Sequence, residues 1–194
     1  HPGLNRQPFF FTTPNQRHNR TLLAVQQRFV DKLLDHSLGY DHVLYCMDNE
    51  TNGEEAWSRY WAEYIREQAR RRGQQIQMTE MWGAWRLTAP EHRRTFDHPE
   101  LFDFVEVSQN THKSGQRQWD DLAAARSYLS GQPRPMNTVK AYGADGSDFG
   151  QTDQKGIERF WIQLFGGSAA VRFHRPDAGL GLGDLAVASL RAAR

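Results

Sequence analysis

The sequence predicts an α/β protein made of five strand–helix units preceded by one helix. Three observations predict it. Short β-branched or apolar runs begin near Val43, Ile76, Phe104, Met136 and Ala169, at intervals of 33, 28, 32 and 33 residues. That is the length of a strand, a helix and two loops. Helix-period apolar stripes fill the gaps between these runs. Finally, turn residues (Gly39, Gly73, Pro133, Gly166 and Gly167) precede the runs, while polar and aromatic residues follow them.

The leading helix is expected from Leu22 to Leu38, with Leu22, Phe29, Val30, Leu33 and Leu34 apolar. Pro14 and Asn15 mark its approach, so residues 1–17 form a loop entering it. The first strand (HVLYCMDN) carries the lone Cys46 at an interior position, as an inert small hydrophobe. In the next helix Trp57, Tyr60, Trp61, Tyr64 and Ile65 make one stripe, with Trp57 and Trp61 in the core. Thr51 or Asn52 is the expected cap, with Glu54 or Glu55 as its capping-box partner. Arg70 to Arg72 fall at the C-terminal end of that helix, where the dipole favours cations. Later stripes are Trp119, Leu122, Ala123 and Arg126, then Ile157, Phe160, Trp161 and Leu164, then Leu182, Leu185, Ala186, Ser189 and Leu190.

Strands in such units are parallel and their crossovers right-handed. An open doubly wound sheet and part of an eight-stranded barrel both fit. No G-x-G-x-x-G or Walker-type loop follows a strand, which argues against nucleotide binding. Gly179 to Asp184 (GLGLGD) reads as a loop and helix start.

Composition narrows the function classes. The chain has 194 residues, 38% hydrophobic, with 23 aromatics, which is one domain with a real core. Its net charge of +1 predicts neither nucleic-acid nor membrane-surface binding. One cysteine excludes an internal disulfide and a Cys-based zinc site. Asp48 to Gly53 (DNETNG) opens like a calcium loop, but its twelfth position is Arg59 and a strand precedes it. His112 and His174 lack metal-ligand spacing, so no metal and no cofactor is expected.

In either architecture the functional site lies beyond the carboxyl ends of the strands. Those ends carry Asp48, Asn49 and Glu50; Glu80, Trp82 and Trp85; Gln109, Asn110 and His112; Lys140, Tyr142, Asp145 and Asp148; and His174, Arg175 and Asp177. Aromatic faces beside carboxylates and amides suit a sugar, whose CH faces stack and whose hydroxyls need acceptors and donors.

Val43 to Thr51 (VLYCMDNET) resembles the fourth strand of the large clan of retaining (β/α)8 glycoside hydrolases, which ends in Asn-Glu. Val105 to His112 (VEVSQNTH), Asn137 to Gly143 (NTVKAYG) and Ala169 to Arg175 resemble its sixth, seventh and eighth strands. The resemblance implies a single incomplete domain over residues 1–194, a truncated TIM-type (β/α)8 barrel of about five parallel strands with flanking helices. It implies a glycosidase acting on polysaccharide or oligosaccharide, or an inactive carbohydrate-binding or structural relative. It assigns Glu50 as general acid/base and Asn49 as the hydrogen-bond partner of the sugar 2-hydroxyl. It also points to a secreted or periplasmic protein.

Two departures qualify it. The clan's seventh-strand nucleophile is absent, because that stretch reads Thr138, Val139, Lys140, Ala141. Asp145, Asp148 or Glu80 must then supply the second carboxylate, and Asp145 is the first choice. Lys140 is placed to form a salt bridge with Glu50, which would spoil it as an acid. The expected substrate-binding set is Glu80, Trp82, Trp85, Asn110, His112, Lys140, Tyr142 and His174. The clan's first three strands are also absent, so the expected partners are carbohydrate and, over the open sheet edges, a second copy or a missing barrel half.

Overall fold

A computed structural model describes residues 11–143, 152–174 and 182–194. Helices and strands alternate: α1 (Arg20–Ser37), β1 (Leu44–Cys46), α2 (Glu55–Arg71), β2 (Gln77–Thr79), α3 (Pro90–Phe96), β3 (Val105–Glu106), α4 (Gln116–Tyr128), β4 (Met136–Ala141), α5 (Asp153–Phe165), β5 (Ala170–Phe173) and α6 (Asp184–Ala193). A 3-10 turn, Ser108–His112, follows β3.

All strand pairings are parallel, as the strand–helix rhythm predicts. Among the described residues they fall into two small sheets, β1-β2 and β3-β4-β5, each in sequential order, and not into one run of five strands. At the seam, the Asp103 amide donates to the Met78 carbonyl at 2.9 Å, so the approach to β3 lies beside β2. The Met78 amide turns to the Asp103 carboxylate at 2.9 Å instead of a backbone carbonyl. Arg66 donates to the same carboxylate oxygen at 2.9 Å. A side chain thus occupies the place of a backbone rung, and the ladder stops there.

The helices form where apolar stripes face the sheets. α1 begins at Asn19, whose side chain accepts from the Leu22 amide at 3.1 Å. The helix therefore starts just before the Leu22 expected from the sequence, and its cap is Asn19 rather than Asn15. α2 begins at Glu55 with no side-chain cap. The expected cap Thr51 is engaged elsewhere: it bridges in parallel to Trp82, and its hydroxyl accepts from the Gly53 amide at 2.9 Å. α3 carries no apolar stripe and begins at Pro90, a favoured first helical residue. Its last turn is held by Arg134, which donates to the carbonyls of Thr95 (3.1 Å), Phe96 and Phe102 (2.8 Å).

Three apolar clusters run along one side of the strands. Met78 belongs to the first, Val105, Val107 and Met136 to the second, and Phe173 to the third. Side chains alternate faces along a strand. Cys46, Asp48, Glu106 and Asn137 therefore point to the opposite face. This corrects the expectation for Cys46, which is exposed there and not part of the core. Trp61 is buried as expected, whereas Trp57 is half-buried. Among the described residues no helix is long and apolar enough to cross a membrane.

Candidate functional site

The carboxyl ends of the strands gather a polar and aromatic cluster. β1 runs into Asp48, Asn49 and Glu50, where the chain turns sharply. Glu50 has φ of 53°, a left-handed backbone rare for a residue with a side chain. The turn is clamped by the end of β2. The Met81 amide donates to the Asp48 carboxylate at 3.1 Å. The Thr51 amide donates to the Met81 carbonyl at 3.0 Å, and the Gly83 amide to the Thr51 carbonyl at 2.8 Å. A Cβ on Gly83 would lie 3.0 Å from the Glu50 carbonyl, so any side chain there would press on the clamp.

Held in this way, Glu50 reaches across to the end of β4. The Lys140 ammonium donates to Glu50 Oε1 and to Asn49 Oδ1, each at 2.5 Å. The Tyr142 hydroxyl donates to the same Glu50 oxygen at 3.4 Å. Partial burial pushes the Glu50 pKa up, but hydrogen bonding and charge from Lys140, with help from Gln109 and His112, bring it below the ordinary glutamate value. The carboxyl is therefore ionised at neutral pH.

Beside this pair runs a row of rings. Trp85 stacks on His112 with centroids 4.5 Å apart and planes 12° apart. His112 lies 5.4 Å from Tyr142, and Tyr142 lies 4.7 Å from His174. Trp85 is 58% exposed. Burial, opposed by Glu50 and reinforced by Lys140 and Arg159, lowers the His112 pKa and keeps its ring neutral at neutral pH.

The structure thus brings together Asn49, Glu50, Trp85, His112, Lys140, Tyr142 and His174 from the expected set. Glu80, Trp82 and Asn110 are elsewhere. Glu80 shares the helix-facing side of β2 with Met78 by strand alternation, and it is 1% exposed. It accepts from Ser58 on α2 and from Thr95 on α3, the latter at 2.7 Å. The buried Trp82 indole donates to the Thr95 hydroxyl at 3.0 Å, and Arg94 covers its ring at 4.7 Å. Asn110 is fully buried and donates to the Gln118 carbonyl at 2.8 Å. Asp145 and Asp148, the expected second carboxylates, lie outside the described residues.

Two further carboxylates mark the face opposite the apolar clusters: Asp48, read from the sequence as a strand-end residue, and Glu106, which the sequence reading does not name. Glu106 accepts from the Asn137 amide and the Ser108 backbone, both at 2.8 Å. Burial raises its pKa to about 7 despite those bonds. Burial and the charge of Glu80 raise Asp48 to about 7, with the Met81 amide opposing. Cys46 keeps an exposed side, yet its thiol is pushed up to about 12, first by desolvation against the protein on its other side and then by Asp48 and Glu106. Such a thiol is a poor nucleophile. Among the described residues no group of three His, Cys, Asp or Glu is placed to hold a metal ion.

No family model, no curated protein and no solved structure matches the chain.

Proposed function

We propose that the chain binds carbohydrate at this rim, as a non-catalytic relative of the barrel glycoside hydrolases. Its five strands are taken as a five-strand arc of a (β/α)8 barrel, continuous through the Asp103–Met78 contact. One observation carries the proposal: the row Trp85–His112–Tyr142–His174 lies alongside Glu50, Asn49 and Lys140. The exposed Trp85 ring, with the half-buried rings beside it, offers an apolar face for sugar CH groups. The carboxylate and amide accept hydroxyl protons, and the ammonium donates to hydroxyl oxygens.

The Lys140–Glu50 pair favours binding over hydrolysis. A general acid must hold its proton near working pH, so its pKa is tuned upward. Glu50 is tuned downward. An ionised carboxylate does suit a nucleophile or base, and the left-handed φ of Glu50 is the kind of strain found at active sites. Hydrolysis with Glu50 in that role is therefore the second reading, and it reverses the expected roles, since a different carboxyl must then serve as the acid.

The test is titration of the protein with neutral oligosaccharides of glucose, xylose, mannose and N-acetylglucosamine, followed by tryptophan fluorescence. Saturable binding that weakens at least tenfold in Trp85→Ala supports the proposal. Absence of binding to every member overturns it. Hydrolysis of an aryl-glycoside panel that disappears in Glu50→Gln would establish the second reading instead.

A further inference from the structure

We propose that the groove between α1 and the outer edge of β1 docks a β-strand of another polypeptide, one that is apolar toward α1 and bears acidic residues at its end. Among the described residues β1 pairs only with β2. The Met47 amide donates to the Thr79 carbonyl on that side. By alternation, the backbone N–H and C=O groups of Leu44 and Cys46 turn to the open side. A strand laid there would be hydrogen-bonded as in β-augmentation.

The space beside this edge is a groove of about 890 Å³, lined by Phe29, Val30 and Leu33 of α1, by Tyr45 and Met47, and by Trp57 of α2. Phe29 is 63% exposed and Leu33 52%. Such a contiguous apolar surface marks an interaction site. Its occupant sits between a helix and a strand edge, which is the place of a neighbouring strand in an α/β layer and not of a second helix.

Charge selects the occupant's flank. α1 has three faces at 3.6-residue spacing. Leu23 and Leu34 are buried. Asp31 accepts from Tyr64, and Asp35 pairs with Arg72 at 3.1 Å, so the acidic residues of α1 are engaged with α2 and its C-terminal cap. Phe29, Leu33 and Ser37 face the groove. Arg28 and Lys32 are exposed on the lip beyond it, four residues apart, and His36 lines the groove one turn further on. A cationic lip over an apolar groove fits a strand that ends in acidic residues, and rejects one that ends in basic residues.

The probe is a synthetic peptide of alternating Val and Thr ending in three Glu, labelled for fluorescence anisotropy. Controls are the same peptide ending in three Lys, and one with Pro at alternate positions. The expected result is saturable binding of the Glu-ended peptide, at least tenfold weaker binding of both controls, and slowed amide hydrogen exchange at Leu44 and Cys46. Arg28→Glu with Lys32→Glu, both at exposed positions, is expected to reverse the preference between the Glu and Lys ends. Binding without protection of Leu44 and Cys46, or equal affinity for all three peptides, overturns the proposal. So does a dimer in sedimentation that Leu33→Glu dissociates, since the face then belongs to a second copy. Preferential binding to phosphatidylserine vesicles overturns it in favour of a membrane surface.

Discussion

Lys140 at the end of β4 holds Glu50 at the end of β1, with Nζ 2.5 Å from Oε1. The two residues lie 90 positions apart in the chain and in different sheets. Lys140 is the more enclosed partner, with 15% of its side chain exposed against 36% for Glu50. The ammonium therefore has few alternatives to this carboxylate and the Asn49 amide, and the pair fixes both the charge and the aim of Glu50.

Lys140→Met is expected to raise the Glu50 pKa, followed by carboxyl carbon NMR across pH 3 to 8. Removing the ammonium leaves burial as the main influence on that carboxyl. Because the folded pKa of Glu50 is lowered, the pair stabilises the protein above the ordinary glutamate value and ceases to do so as pH falls through the folded pKa. With Glu50 partly in water, the stability change is expected to stay within about 1 kcal/mol. An unchanged Glu50 titration would show that Lys140 does not set its charge.

Gly83→Ala tests the clamp. The added Cβ would lie 3.0 Å from the Glu50 carbonyl and 3.0 Å from Asn52 Oδ1. The Glu50 carbonyl shares its peptide plane with the Thr51 amide, so it cannot retreat without disturbing the Thr51–Met81 hydrogen bond. A loss of about 1–2 kcal/mol is expected in urea denaturation, together with a rise of the Glu50 pKa as its aim at Lys140 degrades. Gly39→Ala is the control, because nothing lies within 4 Å of a Cβ there.

Glu106→Gln tests the buried carboxyl on the face opposite the apolar clusters. A carboxyl whose folded pKa is raised to about 7 from 4.5 binds its proton more tightly folded than unfolded. Its stabilising contribution is complete below the unfolded value and is lost as pH rises through 7. Glutamine imitates the protonated form and does not titrate. The variant is therefore expected to gain melting temperature relative to the parent between pH 5 and pH 8. A difference independent of pH would mean that Glu106 is ionised throughout.

Legibility in the sequence followed the range of the forces involved. The stripe Trp57, Tyr60, Trp61, Tyr64, Ile65 marked α2 because its period is local. The structure uses it as expected, burying Trp61 and Ile65 and bonding Tyr60 and Tyr64 to Gln27 and Asp31 of α1. α3 escaped notice because seven mostly polar residues carry no stripe, and Arg134, far along the chain, closes it. Glu80 and Glu50 look alike in sequence, as acidic residues at strand ends. Strand alternation sends Glu80 to the helices, while a left-handed turn swings Glu50 to Lys140. Neither the parity at a strand end nor the sign of φ is visible in residue type.

The seam between the two sheets yields the last prediction. Asp103 Oδ2 accepts from both the Met78 amide and Arg66, while the Asp103 amide donates back to the Met78 carbonyl. Met78 is fully buried. Asp103→Ala would leave its amide without the carboxylate, and an unmet buried donor costs about 1–3 kcal/mol. Arg66 keeps only its bond to the Leu101 carbonyl at 2.8 Å. A destabilisation of that size is expected in urea denaturation, with faster amide exchange at Met78. Asp103→Asn separates geometry from charge, since its carbonyl oxygen can still accept from Met78 but the ion pair with Arg66 is gone. It is expected to recover most of the loss, because that ion pair is partly exposed. If Asn proves as damaging as Ala, the seam depends on the carboxylate charge, and Arg66→Met should then reproduce the defect.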